Sequence, residues 1–213
     1  MAKKISPKTL IAIISAAIAV AALVTIISEG AKDSSTKIRA TSAQEIQPVT
    51  VVGVDLPRTP DTGDDPGLGL QAPTLKGITA GGMPMTIAPG SDGKPMMLVF
   101  LAHWCPHCNR EIPVLNEWKG HGLAPDDLTV IGITTATQEG QPNYPPSQWL
   151  VQMNWPWAAM PDSENQDAAR AFGVAGYPTY VVVGADGLVK YRSSGEKSLE
   201  EVNNSVRQAL SLA

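Results

Sequence analysis

A run of six apolar residues, Met96 to Leu101 (MMLVFL), leads almost directly into Trp104-Cys105-Pro106-His107-Cys108, and this junction constrains the fold more than any other part of the 213-residue chain. An unbroken apolar run of that length suits a strand buried on both faces. Pro106 suits the first position of a helix, where its missing N–H costs nothing. A strand that turns straight into a helix places Cys105 at the helix cap, and a helix N-terminus lowers a cysteine pKa. Cys108, one turn inward, can reach the same sulfur. His107 adds donors beside it and, when protonated, a positive charge. These are the only cysteines in the chain. A bridge closing so small a loop constrains the unfolded chain little, so a pairing here serves chemistry rather than scaffolding.

The flanking sequence supplies the rest of a sheet. Thr74 to Ala88 alternates weakly around Gly81-Gly82, as a hairpin would. Pro106 to Lys119 reads as a helix with Ile112, Leu115 and Trp118 near one face, and Pro113 interrupts its hydrogen bonding. Leu128 to Thr134 reads as a second buried strand, and Gln148 to Met153 and Asp167 to Phe172 as short helices. Thr179 to Val183 and Leu188 to Arg192 form strands joined around Asp186-Gly187. Ser198 and Glu201 make a capping box for a last helix with an apolar stripe of Leu199, Val202, Val206 and Leu210. The fold class is α/β, a mixed sheet flanked by helices.

Leu10 to Ile27 is 18 residues without a charge, preceded by Lys3, Lys4 and Lys8. Its length approaches the roughly 20 residues that span a bilayer, and the lysines favour a cytoplasmic start. We therefore expect a cytoplasmic N-terminus (1–9), a transmembrane signal-anchor (10–28), a flexible tether (29–67) and a globular domain (68–213) outside the cytoplasm. A cleaved signal peptide is the alternative; its apolar region would be shorter, with a small-residue cleavage site close behind. Gln47 to Leu56 contains a Val-rich stretch that suits either a short strand or plain tether. The net charge of −4 and pI near 5.3 argue against nucleic-acid binding.

Trp104-Cys105-x-x-Cys108 after a buried strand resembles the thioredoxin superfamily. The Pro106-His107 dipeptide resembles DsbA-type oxidants, and the wider frame through Glu111 and Pro113 resembles the membrane-anchored TlpA/ResA-like branch. Gly176-Tyr177-Pro178-Thr179 is similar to the family's cis-proline segment. The resemblance covers residues 68–213. It implies Cys105 as the attacking thiol, Cys108 as the resolving thiol, Pro178 cis beside Cys105, and Trp104 and Tyr177 as substrate contacts. It also implies Glu111 as proton acceptor for Cys108; as a plain helix residue Glu111 would be a solvated acid. Many thioredoxins place a buried acid six residues before the first cysteine, where this chain has Val99.

The expected function is thiol–disulfide exchange on cysteines of extracytoplasmic client proteins, acting as an oxidant. The alternatives are a specialised reductant, for instance in cytochrome c maturation, and a non-catalytic redox-sensing or metal-carrying module. A single span and two cysteines cannot carry electrons across a membrane, so a separate membrane redox partner must recycle the protein. No cofactor is implied. A zinc site would need about four ligands; His103, His107 and His121 supply nitrogens, but His107 lies between the cysteines in poor geometry. Haem attachment needs a histidine after Cys108, where Asn109 stands.

Overall fold

The computed structural model describes residues 44–211. The strands are β1 (Thr50–Val52), β2 (Thr74–Ile78), β3 (Pro84–Ile87), β4 (Met96–Leu101), β5 (Thr129–Thr134), β6 (Ala158–Pro161), β7 (Thr179–Val183) and β8 (Val189–Ser194). The helices are α1 (Pro106–Gly120), α2 (Pro146–Gln152), α3 (Asp167–Ala171) and α4 (Leu199–Ser211). All six residues of β4 are buried, and β4 is the centre of a five-stranded sheet ordered β6-β5-β4-β7-β8. It pairs in parallel with β5 and antiparallel with β7, which makes the sheet mixed. A separate antiparallel sheet is ordered β1-β2-β3.

Alternation along β4 divides the core in two. Met97, Val99 and Leu101 face α1 and α4, with Ile112, Leu115, Trp118, Val202 and Val206. Met96, Leu98 and Phe100 face the other side, with Leu75, Ile87, Phe172 and Val189. Helix α1 buries Cys108, Glu111, Ile112, Leu115 and Trp118, a spacing of three and four that gives one continuous face. The helix runs through Pro113 as one element. At the start of α4, the Ser198 hydroxyl accepts from the Glu201 N–H at 3.2 Å while Glu201 accepts from the Ser198 N–H at 2.7 Å. Gly187, at φ +78, takes the left-handed position in the β7–β8 turn.

Two features depart from the expectation. Strand β6 (AAMP) was not foreseen. Alanine and proline are poor strand formers, but β6 is an edge strand paired only with β5, and an edge tolerates Pro161. The expected tether also stops short: residues 44–67 are built into the domain. Strand β1 pairs with β2, Leu56 is buried and its N–H donates to the Ala171 carbonyl at 2.8 Å, and the Thr59 N–H donates to Gly173 at 2.7 Å. The Arg192 side chain, itself buried, donates to Asp65 at 2.9 Å, to the Pro57 carbonyl at 2.7 Å and to the Phe172 carbonyl at 3.0 Å. The attachment uses backbone hydrogen bonds, one ion pair and the scattered apolar contacts of Val49, Val51 and Leu56, so the sequence shows no apolar periodicity there. Among the described residues no helix is long and apolar enough to cross a membrane. The expected span at 10–28 lies outside them.

Candidate active site

The end of β4 delivers the chain to α1 through a tight turn in which the Cys105 N–H donates to the Ala102 carbonyl at 3.0 Å. Cys105 is the N-cap residue, in an extended conformation, and Pro106 follows at the first helical position. The cysteine side chain makes no cap hydrogen bond, which leaves the sulfur for other contacts. Both cysteines are unpaired thiols. Cys105 retains 6% exposure and Cys108 none, so only the first can meet an incoming sulfur. The Cys105 thiol donates to the Tyr177 carbonyl at 3.6 Å, and the Tyr177–Pro178 peptide bond is cis. Burial pushes the Cys108 thiol far above its ordinary value, and the neighbouring Cys105 and Glu111 add to the rise.

Glu111 is not a solvated acid. It is 1% exposed, accepts from the Tyr180 hydroxyl, and accepts from the Lys197 N–H at 3.0 Å. Burial holds its carboxyl above the ordinary value, while the Tyr180 and Lys197 hydrogen bonds pull it down. Tyr180 lies directly opposite Val99 in the β4–β7 register. The acid therefore enters this part of the core from the helix, and the strand position six residues before Cys105 contributes only an apolar neighbour.

His107 is exposed, and its Nδ1 meets the Glu196 carboxylate. Arg110, also exposed, donates to the same carboxylate at 3.0 Å and lies 3.0 Å from His107 Nδ1. The His107 ring is thus engaged by an acid from the β8–α4 loop, a partner the sequence gave no reason to expect. Trp104 is half-buried; its indole N–H donates to the Ala136 carbonyl at 2.8 Å, and it meets the Tyr177 ring edge-on at 6.1 Å. The Tyr177 hydroxyl donates to Gln166 at 2.9 Å. The structure therefore brings Trp104, Cys105, Cys108, Tyr177 and Pro178 together, with Glu111 on the buried side and His107 on the rim.

Three supporting residues escaped the sequence reading. His103 is buried; its Nε2 accepts from the Gln138 N–H at 3.2 Å, so Nδ1 carries the proton and donates to the Pro142 carbonyl at 2.7 Å. Asn109 donates to the Cys105 carbonyl at 2.9 Å and accepts from the Trp149 indole at 2.9 Å. Tyr180 is the second residue of β7 and lies in the same core cluster as Cys105 and Cys108. Trp155 packs over Gly132, where an added Cβ would fall 3.0 Å from its ring. Among the described residues no group of three or more histidines, cysteines or acids is arranged to hold a metal.

A solvent-edged thiol capping a helix, backed by a buried second thiol and faced by a cis-proline loop, is the arrangement of a thioredoxin-like thiol–disulfide oxidoreductase. The chain belongs to the AhpC/TSA family, whose model matches residues 68–192. It is 31% identical over 105 residues to the thiol:disulfide interchange protein DsbE of Pasteurella multocida, covering 49% of this chain and 53% of that one. The match to the DsbE of Vibrio cholerae is 30% over 104 residues. The chain thus spans about half the length of the curated relatives it matches. Among solved structures, a thioredoxin-family thiol:disulfide interchange protein from Chlorobium tepidum is 27% identical, with a TM-score of 0.53 over 66% of this chain and 96% of that one. StoA from Bacillus subtilis shares the fold, with a TM-score of 0.51 at 15% identity.

Proposed function

We propose that this chain catalyses dithiol–disulfide exchange on cysteines of client proteins outside the cytoplasm. The observation that carries the reading is the division of labour between the sulfurs. Cys105 sits at a helix cap against the Tyr177 carbonyl and keeps 6% exposure; Cys108 is wholly enclosed behind it. In reduction, the Cys105 thiolate attacks one client sulfur and the other leaves as a thiolate. Cys108 then passes its proton to Glu111 and attacks Cys105, releasing the client as a dithiol and leaving a Cys105–Cys108 disulfide. Oxidation of a client dithiol runs the same steps backwards. Two electrons move per cycle, and a separate membrane redox partner restores the starting state. Trp104 and Tyr177 flank the Cys105 sulfur as the client contacts. Lys3, Lys4, Lys8 and the apolar stretch at 10–28 support an anchored protein with its domain outside.

On direction, the Pro106-His107 dipeptide favours an oxidant, because donors beside Cys105 stabilise the thiolate, which exists only in the reduced protein. A second reading, a reductant, gains from the Glu196 carboxylate that meets His107 and Arg110 and from Glu111 near Cys108. Exchange itself is tested with Cys108→Ser, in which resolution is blocked: mixed disulfides with client proteins should accumulate, and Cys105→Ser should trap none. The opposite pattern would overturn the roles. A sensor or metal carrier would complete one turnover at most on a model disulfide, where a catalyst continues.

A further inference from the structure

The first turns of α1 concentrate positive charge: the helix N-terminus itself, His107 and Arg110, with no acidic residue in the first turn to offset them. The offset comes from elsewhere. The Glu196 carboxylate accepts from Arg110 Nε through both oxygens at 3.0 Å, and it also meets Arg110 Nη2 and His107 Nδ1. The nearest other cation in that turn, Lys197, is directed away, donating to the Ser193 hydroxyl at 2.9 Å and lying over the rings of Tyr180 and Tyr191. Among the described residues, the side chains that Glu196 meets are therefore the two that flank Cys105, His107 and Arg110.

We propose that Glu196 is a positioning residue that sets the redox potential of the Cys105–Cys108 pair, by holding the His107 ring and neutralising the Arg110 cation that would otherwise favour the Cys105 thiolate. The inference rests on the oxidoreductase reading. Arg110 and His107 together hold the Glu196 carboxyl down at about 2, so it stays ionised at any pH the protein would work at. Removing its charge leaves the Arg110 guanidinium and the helix N-terminus beside Cys105 without their counter-charge. A more positive site stabilises the thiolate, hence the dithiol form, hence makes the disulfide a stronger oxidant. Because the pair lies at the surface, the effect is a moderate one.

The test is equilibration of the full chain with glutathione at pH 7. The Cys105–Cys108 bond breaks and takes up two electrons as two glutathione thiols join in a glutathione disulfide. The equilibrium constant for reduction of the protein should rise three- to tenfold in Glu196→Gln, and tenfold corresponds to about 30 mV for this two-electron couple. Glu196→Asp, which keeps the charge, should lie between wild type and Glu196→Gln. Glu200→Gln, which removes an exposed acid on α4 that touches neither cation, should leave the constant unchanged. A Glu196→Gln constant at or below the wild-type value would overturn the proposal, as would an equal rise in Glu200→Gln. If wild type does not equilibrate with glutathione at all, the oxidoreductase reading fails and the role of Glu196 fails with it.

Discussion

Tyr180→Phe removes one hydroxyl and leaves the ring in place, and its consequence follows from the state of Glu111. The hydroxyl is one of two groups that bind this 1% exposed carboxylate, the other being the Lys197 N–H. A hydrogen bond to a charged group contributes about 1.5–3 kcal/mol. For a domain of this size about 2 kcal/mol corresponds to a loss of roughly 4–8 °C in Tm. The cost depends on pH, and its sign is fixed. Burial already holds the folded-state pKa of Glu111 above its ordinary value, so the folded protein keeps this proton longer than the unfolded chain does. Wild-type stability therefore falls as pH rises from the ordinary carboxylate range through the folded value. Without the Tyr180 donor that folded value climbs further, so the fall is larger and reaches higher pH. The difference between wild type and Tyr180→Phe should be small in acid and should grow through the titration of Glu111. Urea unfolding of the reduced protein across a pH series measures it. Under the proposed transfer of the Cys108 proton to Glu111, the resolving step should respond in parallel, with its pH midpoint displaced upwards. A pH-independent difference, or one below about 0.5 kcal/mol throughout, would refute the assignment of Tyr180 as a donor that favours the Glu111 carboxylate.

Alkylation of the reduced protein near neutral pH should label Cys105 much faster than Cys108, because Cys108 is enclosed and its thiol is pushed up; mass spectrometry of the digested product reads the ratio, and equal labelling would reject the assignment. Asp65→Ala strands the buried Arg192 guanidinium with only the Pro57 and Phe172 carbonyls and should cost about 3–5 kcal/mol in urea unfolding; a loss under 1 kcal/mol would mean the Asp65–Arg192 pair does not hold the 44–67 segment. The wild-type potential, measured against glutathione, should lie above roughly −200 mV if the protein is an oxidant, between thioredoxin near −270 mV and DsbA near −120 mV. A value at or below that of thioredoxin would promote the reductant.

The elements nearest the chemistry were the most legible in the sequence, for reasons that differ from residue to residue. Met96–Leu101 was readable because burial on both faces demands an unbroken apolar run, and Pro106 because only a helix start accommodates it without loss. Pro178 was visible through its family frame. Glu111 was not decided by the sequence alone: an acid three residues past a cysteine is solvated or buried according to whether a strand 69 residues away presents a hydroxyl. Glu196 was invisible for a similar reason, since its partners lie 86 and 89 residues earlier and a surface carboxylate leaves no periodic trace. The segment 44–67 was misjudged because polar composition was equated with freedom, although a chain can be fixed through its backbone carbonyls as firmly as through apolar side chains. Strand β6 was hidden by residues that a sheet accepts only at its edge.

The turn between β8 and α4 touches the active site through three successive residues. The Gly195 N–H donates to the Pro178 carbonyl at 2.8 Å, the Glu196 side chain meets His107 and Arg110, and the Lys197 N–H donates to Glu111 at 3.0 Å. The spacing leaves no slack. Deleting one residue there would shift the register of all three contacts together, so this turn cannot vary in length. In an engineered or diverging relative, position 196 is the adjustable one: Gly195 holds φ +95, a conformation side chains rarely adopt, and Lys197 binds Glu111 through its backbone, whereas a single exchange at 196 changes the charge beside the outer sulfur.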